Sequence, residues 1–275
     1  MKRFINRYFF IFLIYYFYKH YFSLRSLKLR FSKKEAFDKI YKNNFEELKL
    51  KGFTKIPNYY SNSLIEKLNC CFKPILDQMD DAILNTKNEQ LIFFDDNRKM
   101  IKKEFGYSRI YDLEHYFPEF EKIRLDSNIL GFANAYYGMK CYSYHALVQK
   151  TTPVIGGGQG WHYDDFEPRF KIIIYLKDVE IENGPFSYIE GSNKLTLKKL
   201  RKFFKMRSGE FYKEQYFEDH EIDLTMARYL TAKAGDLLLV DANGIHRGLK
   251  IENGHDRYAV FSFYSPYRQK YKAKN

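Results

Sequence analysis

The chain has 275 residues, 45% of them hydrophobic and 29% charged, with a net charge of +12. That hydrophobic content supports a core and excludes a disordered chain, and the length makes one main domain the economical count. Three cysteines, two of them adjacent (Cys70 and Cys71), exclude a disulfide framework. A positive balance of this size suits nucleic acid, anionic lipid or an anionic small substrate. The basic residues are spread along the chain, clustering at 25–34, 194–205 and 268–274, and no nucleic-acid motif accompanies them. A membrane surface or an anionic small molecule is therefore expected, rather than DNA or RNA.

Residues 1–34 carry nine Lys/Arg and no acid, and 8–18 form an apolar, mostly aromatic run. Such a run is too short for a bilayer span, which needs about 20 residues. No small-residue cleavage site follows it, as a secretory signal requires. Aromatics beside basic residues suit an anchor lying on an anionic membrane; a helix packed on the rest of the protein is the equal alternative. Residues 35–275 are expected to form one domain. The protein is expected in the cytoplasm, with peripheral contact to the inner face of the membrane through 1–34.

Residues 52–57 read as a first strand, and Ser61-Asn62-Ser63 caps a helix over 64–78 that Pro74 is predicted to kink or split. Residues 80–110 are charged and mixed, a predicted helix–loop region over the mouth of the fold. A second helix spans 123–137 and ends at Gly138. Residues 141–150 alternate as a strand, and Gly156-Gly157-Gly158 supplies a pliable loop. The β-branched run 170–176 has the composition of a buried strand. Glu182-Asn183-Gly184-Pro185 and Glu190-Gly191-Ser192 are turns on either side of a strand at 186–189. Residues 194–232 are predicted as an insertion without barrel strands, helical over 195–204 and forming a wall of the substrate site. Ala234-Gly235-Asp236 turns the chain into a buried strand at 237–240, and 257–264 alternates as the last strand.

Chemistry concentrates at His162 and Asp164. Residues i and i+2 of a strand share a face, so both would point into one cavity while Tyr163 points away. His246 follows the strand at 237–240 and offers a third ligand. Two imidazoles and one carboxylate suit non-haem Fe(II) and leave half of an octahedron open. An isolated His-x-Asp is weak by itself; its setting between a glycine-rich loop and a buried strand gives it weight. Asp165 has the wrong parity for the cavity unless a bulge intervenes. Trp161, the only tryptophan, fits a pocket wall or a core plug equally well. His145 reads as a core histidine and His115 as helix-end packing, with His20, His220 and His255 exposed. Strands carrying His246 and Arg257 side by side would suit a small barrel whose interior holds the metal.

The order Trp161-His162-x-Asp164, Glu182-Asn183-Gly184-Pro185 with Gly191-Ser192 after five intervening residues, Gly235-Asp236 before a strand, His246-Arg247-Gly248, and then Arg257 resembles the phytanoyl-CoA dioxygenase family. The likeness runs from about residue 52 to 267, most specifically over 150–257. It implies a mainly β fold with flanking helices, the double-stranded β-helix or cupin-like jelly roll. It implies Fe(II) held by His162, Asp164 and His246, 2-oxoglutarate as cosubstrate and O2 as oxidant. Arg257 would bind the far carboxylate of 2-oxoglutarate, where a planar guanidinium grips both oxygens. Lys150 takes the place of a family lysine near the cosubstrate.

The function expected is that of a 2-oxoglutarate-dependent dioxygenase. It would hydroxylate an unactivated C–H of a small molecule, lipid or glycan precursor and release succinate and CO2. Asp164 favours this over halogenation, because related halogenases lack that carboxylate. Two other readings are a non-catalytic binding protein on the same fold and a basic membrane-surface binding protein.

Overall fold

The computed structural model describes residues 41–83, 90–94, 100–104, 107–111, 113–153, 160–164, 169–194, 196, 199 and 216–266. The anchor expected at 1–34 and the helix expected over 195–204 lie outside these residues, apart from isolated positions in the latter.

Helix α1 (Lys42–Lys51) leads into β1 (Phe53–Ile56), and α2 (Asn62–Ile83) follows as one continuous helix with Pro74 inside it. Then come β2 (Gln90–Phe94), β3 (Met100–Glu104) and β4 (Tyr107–Tyr111). Three helices follow: α3 (Leu113–Tyr116), α4 (Phe120–Arg124) and α5 (Ser127–Tyr137). The helix predicted at 123–137 is thus two. Asp126 breaks it by accepting from the Asn128 and Ile129 amides as the N-cap of α5. Gly138 closes α5 with φ at 65°, a left-handed conformation that costs glycine little.

The remaining strands are β5 (Tyr142–Thr151), β6 (Trp161–His162), β7 (Phe170–Tyr175), β8 (Phe186–Ile189), β9 (Tyr216–Phe217), β10 (Ala227–Leu230), β11 (Leu237–Asp241), β12 (His246–Gly248) and β13 (Arg257–Ser265). They form two sheets, one ordered β1-β11-β7-β13-β5-β4-β3-β2 and one ordered β10-β8-β12-β6-β9. Neighbouring strands in both sheets are antiparallel. Mainly β with flanking helices is therefore correct.

Two predicted regions fold differently. Part of the helix–loop segment at 80–110 is the meander β2-β3-β4, which widens the large sheet. Its interspersed lysines and acids hid the alternation that β4 shows in its burial. The 194–232 region contains β9 and β10, which form the two edges of the small sheet, so it is not free of barrel strands. Strands of two and four residues are too short to show a period.

Three apolar layers order the molecule. Leu48, Leu68, Phe72 and Phe132 from the helices pack on Ile172, Ile174, Leu239 and Val260 of the large sheet. Its other face presents Ile173, Tyr175, Leu238, Val240 and Ala259 to Phe186 and Tyr188 of the small sheet. Outside the small sheet, Trp161, Tyr163, Ile189 and Phe217 form a third cluster. Strict alternation assigns each residue of β7 and β13 to one face, and that parity positions the site. Among the described residues no helix is long and apolar enough to cross a membrane.

Candidate metal centre

His162 and His246 are cross-strand partners on β6 and β12, with ring centroids 4.6 Å apart on the inner face of the small sheet. Asp164 follows His162 by two residues and joins them, its backbone amide tied to the Ala242 carbonyl at 3.3 Å. Its Oδ1 lies 3.2 Å from His246 Nε2 and 3.7 Å from His162 Nε2. One ligand atom from each of the three falls within 4.8 Å of the others. An octahedral ion with bonds of about 2.1 Å separates adjacent ligand atoms by about 3 Å, so these spacings fit one. Asp165 lies outside the described residues.

Each imidazole is oriented from behind. His162 Nδ1 meets the Gly160 carbonyl at 2.8 Å, and His246 Nδ1 meets that of Gly244 at 2.9 Å. A carbonyl only accepts, so both Nδ1 atoms carry the proton and both Nε2 lone pairs face the cluster. Phe186 stacks on the His246 ring at 4.9 Å. The turn before His246 is fixed by Tyr188, whose hydroxyl donates to the Asp241 carbonyl. Gly244 is required there, because a Cβ on it would lie 1.6 Å from Tyr188 Oη.

Burial sets the protonation of the cluster. Desolvation is the largest influence on His246 and, with the nearby Lys171 charge, pulls it down to about 4 against the pull of Asp164. Burial works against the charge on Asp164, but Lys171 and His246 overcome it and hold the carboxyl well below the usual range. Both groups therefore present metal-binding forms near neutral pH.

Arg257 starts β13 on the large sheet, facing the small sheet, and Gly248 of β12 lies against it. A Cβ on Gly248 would come within 3.1 Å of Arg257 Nη2. His246 and Arg257 thus face each other from two sheets rather than lying side by side in one. Arg257 is 5% exposed, and its Nη1 is buried with no hydrogen-bond partner. Burial lowers its proton affinity, while Tyr175 and Tyr107 oppose that shift. A buried guanidinium with a nitrogen left unpartnered suits a carboxylate-binding position.

One sequence expectation needs correction, at Lys150, and an open one is decided, at Trp161. Lys150 pairs with Tyr258 across β5 and β13, while Arg257 pairs with Thr151, so Lys150 points to the helix side of the sheet. There its ammonium bonds Asp77 of α2 at 2.7 Å. It is a tie between helix and sheet, and it does not face the cavity. Trp161 occupies the face of β6 opposite His162. It is 1% exposed, packs with Tyr163, Ile189 and Phe217, and lies under the Arg247 guanidinium at 4.3 Å. It plugs the outer cluster and does not wall the metal cavity. Among the other histidines, His145 is half-buried between Tyr111 and Phe263, whereas His220 and His255 are exposed.

The lysine that does face the cluster is Lys171, on β7. Its Nζ sits 2.7 Å from Asp164 Oδ2 and 3.4 Å from His246 Nε2. The sequence held a signal for it: a lone lysine in the otherwise apolar run 170–175, all buried.

The family model for phytanoyl-CoA dioxygenase matches residues 48–259. The chain belongs to the phytanoyl-CoA dioxygenase family. It is thus a member of a group of non-haem iron enzymes that use Fe(II), 2-oxoglutarate and O2. No curated protein sequence matches it. Its fold is similar to that of SnoK, the alpha-ketoglutarate dependent carbocyclase of nogalamycin biosynthesis (TM-score 0.56, 16% identity, 81% of this chain and 83% of that one). AviO1 from Streptomyces viridochromogenes is similar at TM-score 0.57 and 16% identity, over 81% of this chain and 93% of its own. HygX from Streptomyces hygroscopicus, solved with nickel and 2-oxoglutarate, matches at TM-score 0.53 and 16% identity, over 82% of this chain and 87% of its own. Members of this fold therefore share the jelly roll with the present phytanoyl-CoA dioxygenase family protein.

Proposed function

We propose that this protein oxidises a small-molecule C–H bond at an Fe(II) ion held by His162, Asp164 and His246, with hydroxylation as the outcome. One observation carries the reading: the ligand atoms of His162, Asp164 and His246 converge within 4.8 Å, and Arg257, whose buried Nη1 has no partner, lies against Gly248 on the strand that carries His246. When bound, the iron and 2-oxoglutarate would supply, with O2 as the oxidant, oxidative decarboxylation of the cosubstrate to succinate and CO2 coupled to oxidation of the substrate, one oxygen atom going to each.

The chain's own residues bind, orient and exclude water. The Gly160 and Gly244 carbonyls hold the imidazoles so that both Nε2 atoms are available without a change of tautomer. Asp164 offers Oδ1 to the metal while Oδ2 is engaged by Lys171. Arg257 receives the far carboxylate of 2-oxoglutarate, and Gly248 leaves it room. Ile173, Ala259 and Phe186 supply apolar walls that keep this space dry.

The proposed substrate is a small molecule carrying an anionic group, in keeping with the +12 net charge. A HygX structure also holds bound hygromycin B, a precedent for a small-molecule ligand on this fold. Peripheral membrane contact through the basic, aromatic residues 1–34 belongs to the same proposal.

The experiment is anaerobic titration with Fe(II) and then 2-oxoglutarate, following the visible charge-transfer band of the chelate, with His162→Ala as control. A band in the wild type alone supports the reading. Its absence from folded wild-type protein overturns it and favours a non-catalytic binding protein.

A further inference from the structure

The ammonium of Lys171 and a divalent metal need the same lone pair. His246 Nδ1 is committed to the Gly244 carbonyl, which leaves Nε2 as the ring's acceptor, and Lys171 Nζ lies 3.4 Å from it. Asp164 can serve two cations, since Oδ1 faces the imidazoles and Oδ2 takes the ammonium at 2.7 Å. His246 cannot. A metal on Nε2 leaves an ammonium N–H without an acceptor, in a slot between the Phe186 and Phe263 rings, 5.3 and 5.2 Å from Nζ. The Lys171 side chain is only 7% exposed, so water is a poor substitute. A buried donor without a partner is unfavourable, and so is a second positive charge beside the metal.

We propose that Lys171 couples metal loading to the arrival of an anion: it contends with the metal for His246 and then donates to an anionic oxygen brought in beside the metal. The proposal rests on the metal-site reading above. The local charge balance supports it. Metal, Lys171 and Arg257 are three cationic centres, and among the described residues Asp164 is the only carboxylate that meets any of them. A ligand with two carboxylates, such as 2-oxoglutarate, answers both side chains at once, one end at Lys171 and the other at Arg257. Metal alone should then bind weakly, and metal with 2-oxoglutarate tightly. By linkage each raises the other's affinity by the same factor.

The test uses full-length protein treated with chelator, titrated with Mn(II) in competition with a colorimetric chelator, with and without saturating 2-oxoglutarate. In the wild type, 2-oxoglutarate should tighten Mn(II) about tenfold or more. Lys171→Met, of similar length and uncharged, should bind Mn(II) alone about tenfold tighter than wild type, with the 2-oxoglutarate effect cut to about threefold or less. Lys171→Arg keeps the charge and should resemble the wild type. Lys171→Gln serves as the neutral variant if the methionine protein does not fold by circular dichroism. Neutral variants that bind Mn(II) no tighter than wild type, with the 2-oxoglutarate effect intact, overturn the proposal alone. No Mn(II) binding by any of the proteins overturns the metal-site reading, and this proposal with it.

Discussion

Asp164 is shared: Oδ1 faces His246 Nε2 at 3.2 Å while Oδ2 faces Lys171 at 2.7 Å, so a carboxylate two residues from His162 serves both sheets. Asp164→Asn keeps the size but loses the charge that offsets Lys171. The variant should lose metal affinity by about 100-fold or more, because it replaces an anionic ligand with a neutral one beside a buried ammonium. Equilibrium dialysis with Mn(II) reads this, and wild-type affinity in the variant would remove Asp164 from the metal site.

The turn behind His246 gives a prediction that involves no ligand atom. Gly244 supplies the carbonyl for His246 Nδ1 and has no room for a Cβ beside Tyr188. Gly244→Ala must move either the Tyr188 ring or the turn, and Tyr188 is fully buried with its hydroxyl on the Asp241 carbonyl. The substitution should destabilise the fold by about 2–4 kcal/mol and weaken metal binding at least tenfold. Gly244→Ala combined with Tyr188→Leu, which removes both the oxygen and the ring carbon that would lie 2.1 Å from the added Cβ, should recover part of the metal affinity. Urea unfolding and metal titration on the pair check it; no recovery in the double variant would place the damage elsewhere.

Arg257 and Lys150 were both expected at the cosubstrate, and the sheet separates them. Arg257→Ala should spare metal affinity and weaken 2-oxoglutarate by about 10- to 100-fold, the loss of a charge-assisted bidentate contact. Lys150→Ala should leave 2-oxoglutarate binding unchanged. It removes an ion pair to Asp77, which Lys150, Lys73 and Tyr258 hold down to about 2 although burial opposes its charge. Asp77 is partly exposed, so the cost to stability is about 1 kcal/mol or less. Titration of 2-oxoglutarate into the Mn(II)-loaded variants separates the two. A loss at Lys150 equal to that at Arg257 would contradict the assignment of faces.

The contrast shows what the sequence can carry. His162, Asp164 and His246 were legible because they lie in short motifs whose local parity fixes their direction. Lys150 was not, since its face depends on the register of β5 against β13, set by residues more than a hundred positions away. Trp161 stayed between two readings for a similar reason: its parity relative to His162 was readable, but the layer covering the outer face of β6 comes from Phe217, in a two-residue strand with no periodic signal. Lys171 was visible as a charge inside a buried strand, and only the approach of the second sheet gives that charge its partner. The jelly roll itself was legible from its turns and apolar strands, whereas the β2-β3-β4 extension was masked by its charges.

The acid side of the stability profile follows from His246. Its imidazole is held down to about 4, while an unfolded histidine titrates near 6.5. Between these values the unfolded chain takes up a proton that the native state does not, so unfolding becomes easier as pH falls. The contribution is fully present above about pH 6.5 and is lost progressively toward pH 4, reaching about 2 kcal/mol by pH 5. Asp164 lies well below the usual carboxylate range and adds its own loss only under about pH 4. Urea unfolding of chelator-treated protein between pH 7.5 and 5 should show this slope, and His246→Gln should flatten it by about 2 kcal/mol over the same interval. An unchanged slope in His246→Gln would mean that His246 is not the buried neutral imidazole that the metal centre requires.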